Sequence, residues 1–136
     1  MISTRGRYAL RVMLDLMENG TDGKYIPLKE IAMRQGFSQK YLEGIMARLS
    51  KAGLVDAIHG KGGGYRLNRS PDEYSVAEIL VQTEGSLAPV ACLGAGAEPC
   101  DRAMECRTLP VWDKLNILIN DYLLSVTLDQ LTDHRA

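Results

Sequence analysis

Between positions 4 and 19 apolar residues fill nearly everything except a narrow polar stripe at Arg7, Arg11, Asp15 and Glu18. The stripe recurs at steps of four, four and three, which is helical spacing, with Tyr8, Ala9, Leu10, Val12, Met13, Leu14, Leu16 and Met17 around it. A helix apolar on most sides is buried by more than one neighbour, a second subunit among the candidates. Asn19-Gly20 ends it, and a loop runs through Gly23.

Pro27 opens a short helix over 28–35, with Leu28, Ile31 and Ala32 facing inward. Gly36 stands where helices end in a left-handed residue, and only Phe37 separates it from Ser38, an N-cap for the next helix. That helix, 39 to about 52, sorts Tyr41, Leu42, Ile45, Met46 and Leu49 to one side. Lys40, Glu43, Gly44, Ala47 and Lys51 fall on the other, with Arg48 at the edge. Helix, tight glycine turn and capped helix together make a helix-turn-helix. On the outer face the cations suit phosphates, the small residues permit close approach to a groove, and Glu43 suits a cytosine amino group.

Residues 54–59 then read as a strand, 60–64 as a glycine turn and 65–69 as the returning strand, stopped by Ser70-Pro71. A basic hairpin directly after a helix-turn-helix is the wing of a winged helix, placed for phosphates or the minor groove. The glycines do not make a nucleotide loop: no Lys-Ser/Thr follows them, and a strand rather than a helix comes next. A further helix is expected over 72–84. Residues 85–108 are rich in Gly, Ala and Pro and show no period. A long helix follows over 109–126, with Pro110 in its first turn.

The long helix has a broad stripe of Val111, Trp112, Leu115, Leu118, Ile119, Tyr122, Leu123 and Val126, with Ile117 and Leu124 nearly opposite. A second apolar seam predicts a dimer partner. Thr127-x-x-Gln130 is a capping box that starts a short last helix toward His134. The fold expected is mainly α with a small β-hairpin. Its parts are a winged helix-turn-helix over 1–84 (wing about 54–69), a cysteine-containing segment over 85–108, and dimerisation and C-terminal helices over 109–136.

Charge sharpens the division. Residues 1–70 hold 12 Lys and Arg against 6 Asp and Glu; residues 71–136 hold 4 against 11. One end is built for a polyanion and the other is not. The N-terminus carries no signal-peptide pattern, and Asp113, Lys114, Asn116, Asn120 and Asp121 interrupt the longest apolar stretch. Both point to a cytoplasmic protein without a membrane span. No nucleophile–base pair or carboxylate dyad stands out, so an enzyme is not expected.

All three cysteines, Cys92, Cys100 and Cys106, lie in one fifteen-residue stretch. Structural cysteines scatter through a core, and three leave one over from any disulfide. Short paired spacings of the zinc type are absent. An iron–sulfur cluster wrapped by a Gly- and Ala-rich loop, a bare thiol switch and, less simply, zinc remain open.

The chain resembles the Rrf2 family of bacterial regulators, within it most of all the iron–sulfur cluster regulator branch. The resemblance rests on Arg5-Gly6-Arg7-Tyr8-Ala9, Leu28-x-x-Ile31-Ala32, Tyr41-Leu42-Glu43, Arg48-Leu49-x-Lys51-x-Gly53-Leu54-Val55, Gly60-x-Gly62-Gly63-Gly64-Tyr65 and the cysteine triad. It implies a winged-helix homodimer with crossing C-terminal helices and a 2Fe-2S cluster on Cys92, Cys100 and Cys106. It further implies that Ser38, Gln39, Lys40, Tyr41 and Glu43 meet the major groove, and that His59, Lys61, Gly62 and Gly63 meet the minor groove.

The resemblance breaks at the fourth ligand. The branch has a histidine three residues past its third cysteine, where this chain has Leu109. The nitric-oxide-sensing branch, where the wider cysteine spacing also occurs, uses a partner's acidic residue, where this chain has Tyr8. Oxygens of Glu98, Asp101, Glu105 or Thr108, or a small exogenous ligand, are the substitutes; His59 and His134 are the only histidines.

The function expected is a repressor or dual regulator of iron–sulfur, sulfur-metabolism or redox-stress genes. It would bind a pseudo-palindromic duplex operator, with phosphate contacts from Arg5, Arg7, Arg48, Lys51, Lys61 and Arg66. The alternative is a cluster-free member governed by thiol oxidation or by a metabolic-enzyme partner.

Overall fold

The computed structural model describes residues 2–131 except Thr21, Ala95, Pro99, Cys100, Asp101 and Ala103. The order is α1 (Thr4–Asn19), α2 (Leu28–Gln35), α3 (Gln39–Lys51), β1 (Val55–Ile58), β2 (Gly64–Leu67), α4 (Val76–Glu84) and α5 (Leu109–Ser125). The mainly helical class with one small antiparallel hairpin is as expected from the sequence.

One core joins α1, α2, α3, the hairpin and α4. Ala9, Val12, Met13 and Leu16 of α1 meet Ile31, Leu42, Ile45, Met46, Leu49, Leu54, Tyr74 and Ile79, all buried. The hairpin pairs Val55 with Leu67 and Ile58 with Gly64. Ile26, just before α2, adds a bridge to Tyr65 through Ile26 N–H to Tyr65 C=O (2.7 Å) and the reverse bond (2.9 Å). The wing is thereby stitched to the start of the helix-turn-helix.

Two expectations need correction. The helix expected over 72–84 begins four residues later, because Ser75 caps it by accepting from Glu78 N–H, while Pro71–Glu73 form a separate 3₁₀ turn. Between them Tyr74 is fully buried. Its hydroxyl accepts from Asn68 and Arg69 N–H and lies 2.8 Å from the Leu54 carbonyl, tying strand ends to α4. Asp15, on the polar stripe of α1, is also buried rather than solvated, for reasons given below.

A smaller cluster sits between α4 and α5. Val76, Ala77, Leu80 and Leu87 are its buried members, with Ile119, Leu123 and Val126 against them. The end of α5 returns to the start of α4: Val76 N–H donates to Val126 C=O (2.8 Å) and Leu128 N–H to Tyr74 C=O (2.9 Å). Thr127 N–H donates to Gln130 Oε1, the reciprocal half of the expected capping box, and the turn it starts is 3₁₀ over Leu128–Leu131. His134 lies outside the described residues. Among the described residues no helix is long and apolar enough to cross a membrane.

Candidate nucleic-acid interface and cysteine segment

The turn from α2 into α3 is built as the sequence dictates. Gly36 takes φ 75°, a left-handed conformation that side-chain-bearing residues adopt only with strain, and its N–H and that of Phe37 both donate to Ala32 C=O. Ser38 Oγ accepts from Tyr41 N–H (3.1 Å) and starts α3. Leu42, Ile45, Met46 and Leu49 face the core. Gln39, Lys40, Glu43, Gly44, Ala47, Arg48 and Lys51 are exposed, so the whole outer face is free to meet a groove.

Tyr41 departs from its expected inner position. It is 40% exposed and packs edge-on to Tyr8 (5.9 Å), which stacks on Phe37 (4.1 Å). The Arg11 guanidinium lies over Phe37 (4.7 Å) and donates to Gln35. Beneath it, Asp15 accepts from Arg34 (2.8 and 3.1 Å) and from Gln35 Nε2 (2.8 Å). That hydrogen bond raises the Arg34 guanidinium further above its ordinary range. The charged contacts therefore tie α2 to α1 and the Tyr8–Tyr41 ring contact ties α3 to it, a joint which the hydrophobic period does not reveal.

The cations divide into two groups. Arg5 from α1 joins Lys40, Tyr41, Gly44 and Arg48 around a groove of about 270 Å³. Arg48 and Lys51 flank a wider one of about 620 Å³ closed by Gln82 of α4. Lys61 and His59 are exposed at the hairpin tip, beside exposed Gly62 and half-buried Gly63. Among the described residues Arg5, Lys40, Arg48, Lys51 and Lys61 form no ion pair, while Arg7 donates only to its own neighbour Thr4. Arg66 is different. It pairs with Asp56 (3.6 Å), donates to Gly23 C=O and covers the Tyr25 ring, so it braces the hairpin while its side chain stays 38% exposed. Arg69 is likewise held by Glu78 (2.8 Å).

Two side chains in this region went unnoticed in the sequence: Gln82, which closes the wider groove, and Glu84. One Glu84 oxygen, Oε1, accepts from both Ser3 N–H (2.7 Å) and Ser3 Oγ (2.6 Å). Neither has a local pattern that announces it.

In the acidic half, Cys92 is exposed in a short 3₁₀ turn and Cys106 is half-buried just before α5. Cys100 lies outside the described residues. The Thr108 hydroxyl, 3.4 Å from Cys106 Sγ, and then the backbone N–H groups of Thr108 and Leu109 lower the Cys106 thiol below its ordinary range. Of the oxygen donors named in the sequence, Glu98 and Glu105 are exposed, Asp101 is not described, and Thr108 is the one brought beside a cysteine. Among the described residues no three potential ligands converge. The donor chemistry fits a thiophilic iron centre: two free thiols, one of them biased to thiolate.

Behind this segment α5 buries none of its own residues. Val111, Leu118, Tyr122 and Leu124 are each more than half exposed.

Residues 2–134 match the Rrf2 family, described as an iron-dependent transcriptional regulator. The chain is 37% identical over 134 residues to the HTH-type transcriptional regulator IscR of Pectobacterium carotovorum, covering 98% of this chain and 80% of that protein. It is similar in structure to CymR, the global cysteine regulator of B. subtilis (TM-score 0.80, 30% identity, covering 100% of this chain and 98% of that one). It is also similar to the T. potens IscR (TM-score 0.73, 35% identity, covering 95% and 83%).

Proposed function

Because the chain belongs to the Rrf2 family of DNA-binding transcriptional regulators, we propose that it is a homodimeric repressor or dual regulator whose operator affinity is set by a 2Fe-2S cluster on Cys92, Cys100 and Cys106. Residues 1–84 read the duplex, 85–108 sense, and 109–136 dimerise. The observation that carries the reading half is the free cationic face around the capped end of α3. Ser38, Gln39, Lys40, Tyr41 and Glu43 meet major-groove edges, while Arg5, Arg7, Arg48 and Lys51 take phosphates. His59, Lys61, Gly62 and Gly63 follow the minor groove.

A cluster held there would supply an iron- and redox-responsive group; the three thiols would hold it, and Thr108, beside Cys106, is the candidate for a weak fourth donor. Incomplete thiolate ligation makes such a centre labile, which suits a sensor. The regulated genes would be those of iron–sulfur, sulfur or redox-stress metabolism, in keeping with the similarity to the global cysteine regulator of B. subtilis.

The test is anaerobic purification with iron and sulfide analysis, then selection of binding duplexes from a random library. Affinity for the selected operator falls steeply with salt, and Lys61→Ala lowers the log–log slope by about one. A flat salt dependence would falsify the DNA-facing assignment. Full iron and sulfide in all three single Cys→Ala variants would remove the cluster assignment.

A second reading has its own support. The lowered Cys106 thiol suits direct oxidation. A colourless protein whose operator binding changes with peroxide supports it over the cluster. If instead operator binding answers only to an added metabolic enzyme, the chain is an enzyme-governed member.

A further inference from the structure

The first turn of α1 poses an electrostatic problem. A helix N-terminus carries partial positive charge, yet that turn holds Arg5 and Arg7 and no acidic residue. The missing anion arrives from the far end of α4. Glu84 Oε1 accepts from Ser3 N–H at 2.7 Å and from Ser3 Oγ at 2.6 Å. With its proton committed to Glu84, the Ser3 hydroxyl turns its lone pairs to Gly6 N–H (3.2 Å) and caps the helix. Gly6 is what admits the carboxylate: a Cβ there would run into Glu84 Oε1 and crowd Thr83 Oγ1.

The turn so fixed carries Arg5, whose side chain lines the groove shared with Lys40, Tyr41, Gly44 and Arg48 of α3. We propose that Glu84 is a positioning residue for DNA reading. By capping the cap of α1 it holds Arg5 beside α3, where both reach the same stretch of duplex. This rests on the DNA-reading assignment above and adds a residue outside the contact surface. Glu84 is also the last residue of α4, so the 85–108 segment begins at the same point.

The experiment is a double-variant cycle on the full chain, using the library-selected operator and a scrambled duplex. Glu84→Ala weakens operator binding roughly fivefold and lowers the salt slope by about one, the signature of one lost phosphate contact. Glu84→Gln, which keeps an acceptor but not the charge, restores part of the affinity. In an Arg5→Ala background Glu84→Ala has no further effect, because the residue it acts through is already gone. Thermal melting is recorded for each variant, since a fold defect lowers affinity equally in both backgrounds.

An equal loss with and without Arg5, or an unchanged salt slope in Glu84→Ala, overturns the proposal. If the wild type fails to prefer the selected duplex over the scrambled one, the DNA-reading assignment falls first, and the two failures are told apart by that control.

Discussion

Helices α3 and α5 are alike in being amphipathic and unlike in what they leave open. Of its thirteen residues α3 buries four, and its other face is finished in polar and small side chains that water solvates without penalty. Of its seventeen residues α5 buries none, and it leaves open Val111, Leu118 and Tyr122 on one side and Leu124 on nearly the opposite one. An open polar face stands free until a polyanion arrives. An open apolar face of this extent calls for a permanent cover. The DNA-reading half is thus finished on its outer face, whereas α5 offers the apolar surface on which the proposed dimer rests.

The comparison is broken most strongly from the side of the core. Leu42→Ala on α3 opens a cavity in a body with no slack, and costs about 3 kcal/mol in urea unfolding. Leu118→Ala on α5 changes the same transition by less than about 0.5 kcal/mol when measured at subunit concentrations too low for association. Similar losses from both would mean that α5 belongs to the monomer core.

Next in size is the joint beneath α3. Asp15→Asn leaves Arg34 and Gln35 facing a neutral amide and destabilises by about 2 kcal/mol, less than a fully buried pair would because Arg34 is partly hydrated. Unchanged stability would show that the helix-turn-helix is held by apolar packing alone.

The contrast is sharpened by Leu118→Asp. Sedimentation reports wild-type dimers, and the variant raises the dimer dissociation constant at least about tenfold while far-UV dichroism stays the same. A variant that remains dimeric places the partner on another face.

The smallest effect concerns the hinge into α5. Because Thr108 and the adjoining N–H groups favour the thiolate, alkylation of reduced, iron-free Cys106 reaches half its maximal rate at a pH below the ordinary thiol range. Thr108→Val moves that midpoint upward, toward the ordinary thiol range. No movement on pH-dependent alkylation would assign the shift to the backbone alone.

What the sequence discloses depends on the range of the interaction. The helix-turn-helix, the Ser38 cap, the glycine at 36 and the start of α5 are local, and each appeared where expected. Asp15 did not, because helical period assigns it to a polar stripe, and only the approach of Arg34 and Gln35, some twenty positions on, makes burial affordable. The partners of Tyr41 and Arg66 were hidden for the same reason: an aromatic neighbour on α1 and an aspartate across the hairpin engage them. Glu84 and Ser3 are 81 residues apart, beyond any local pattern. The 72–84 helix was overextended since Asp72 and Glu73 look like a helical first turn until Ser75 takes the cap. In the cysteine segment, type and grouping narrow the expected chemistry to a cluster, a thiol switch or zinc, but spacing holds no information on a fourth donor.

The long excursion from Gly85 to Val126 leaves from one end of α4 and is pinned by backbone hydrogen bonds at the other. A nine-residue helix spans roughly 14 Å. Both ends of the excursion therefore meet the two ends of one short bar. The bar's near end grips Ser3 and its far end abuts Tyr74, where the strands of the hairpin close, so the segment that holds the cysteines and the DNA-facing body share one helix.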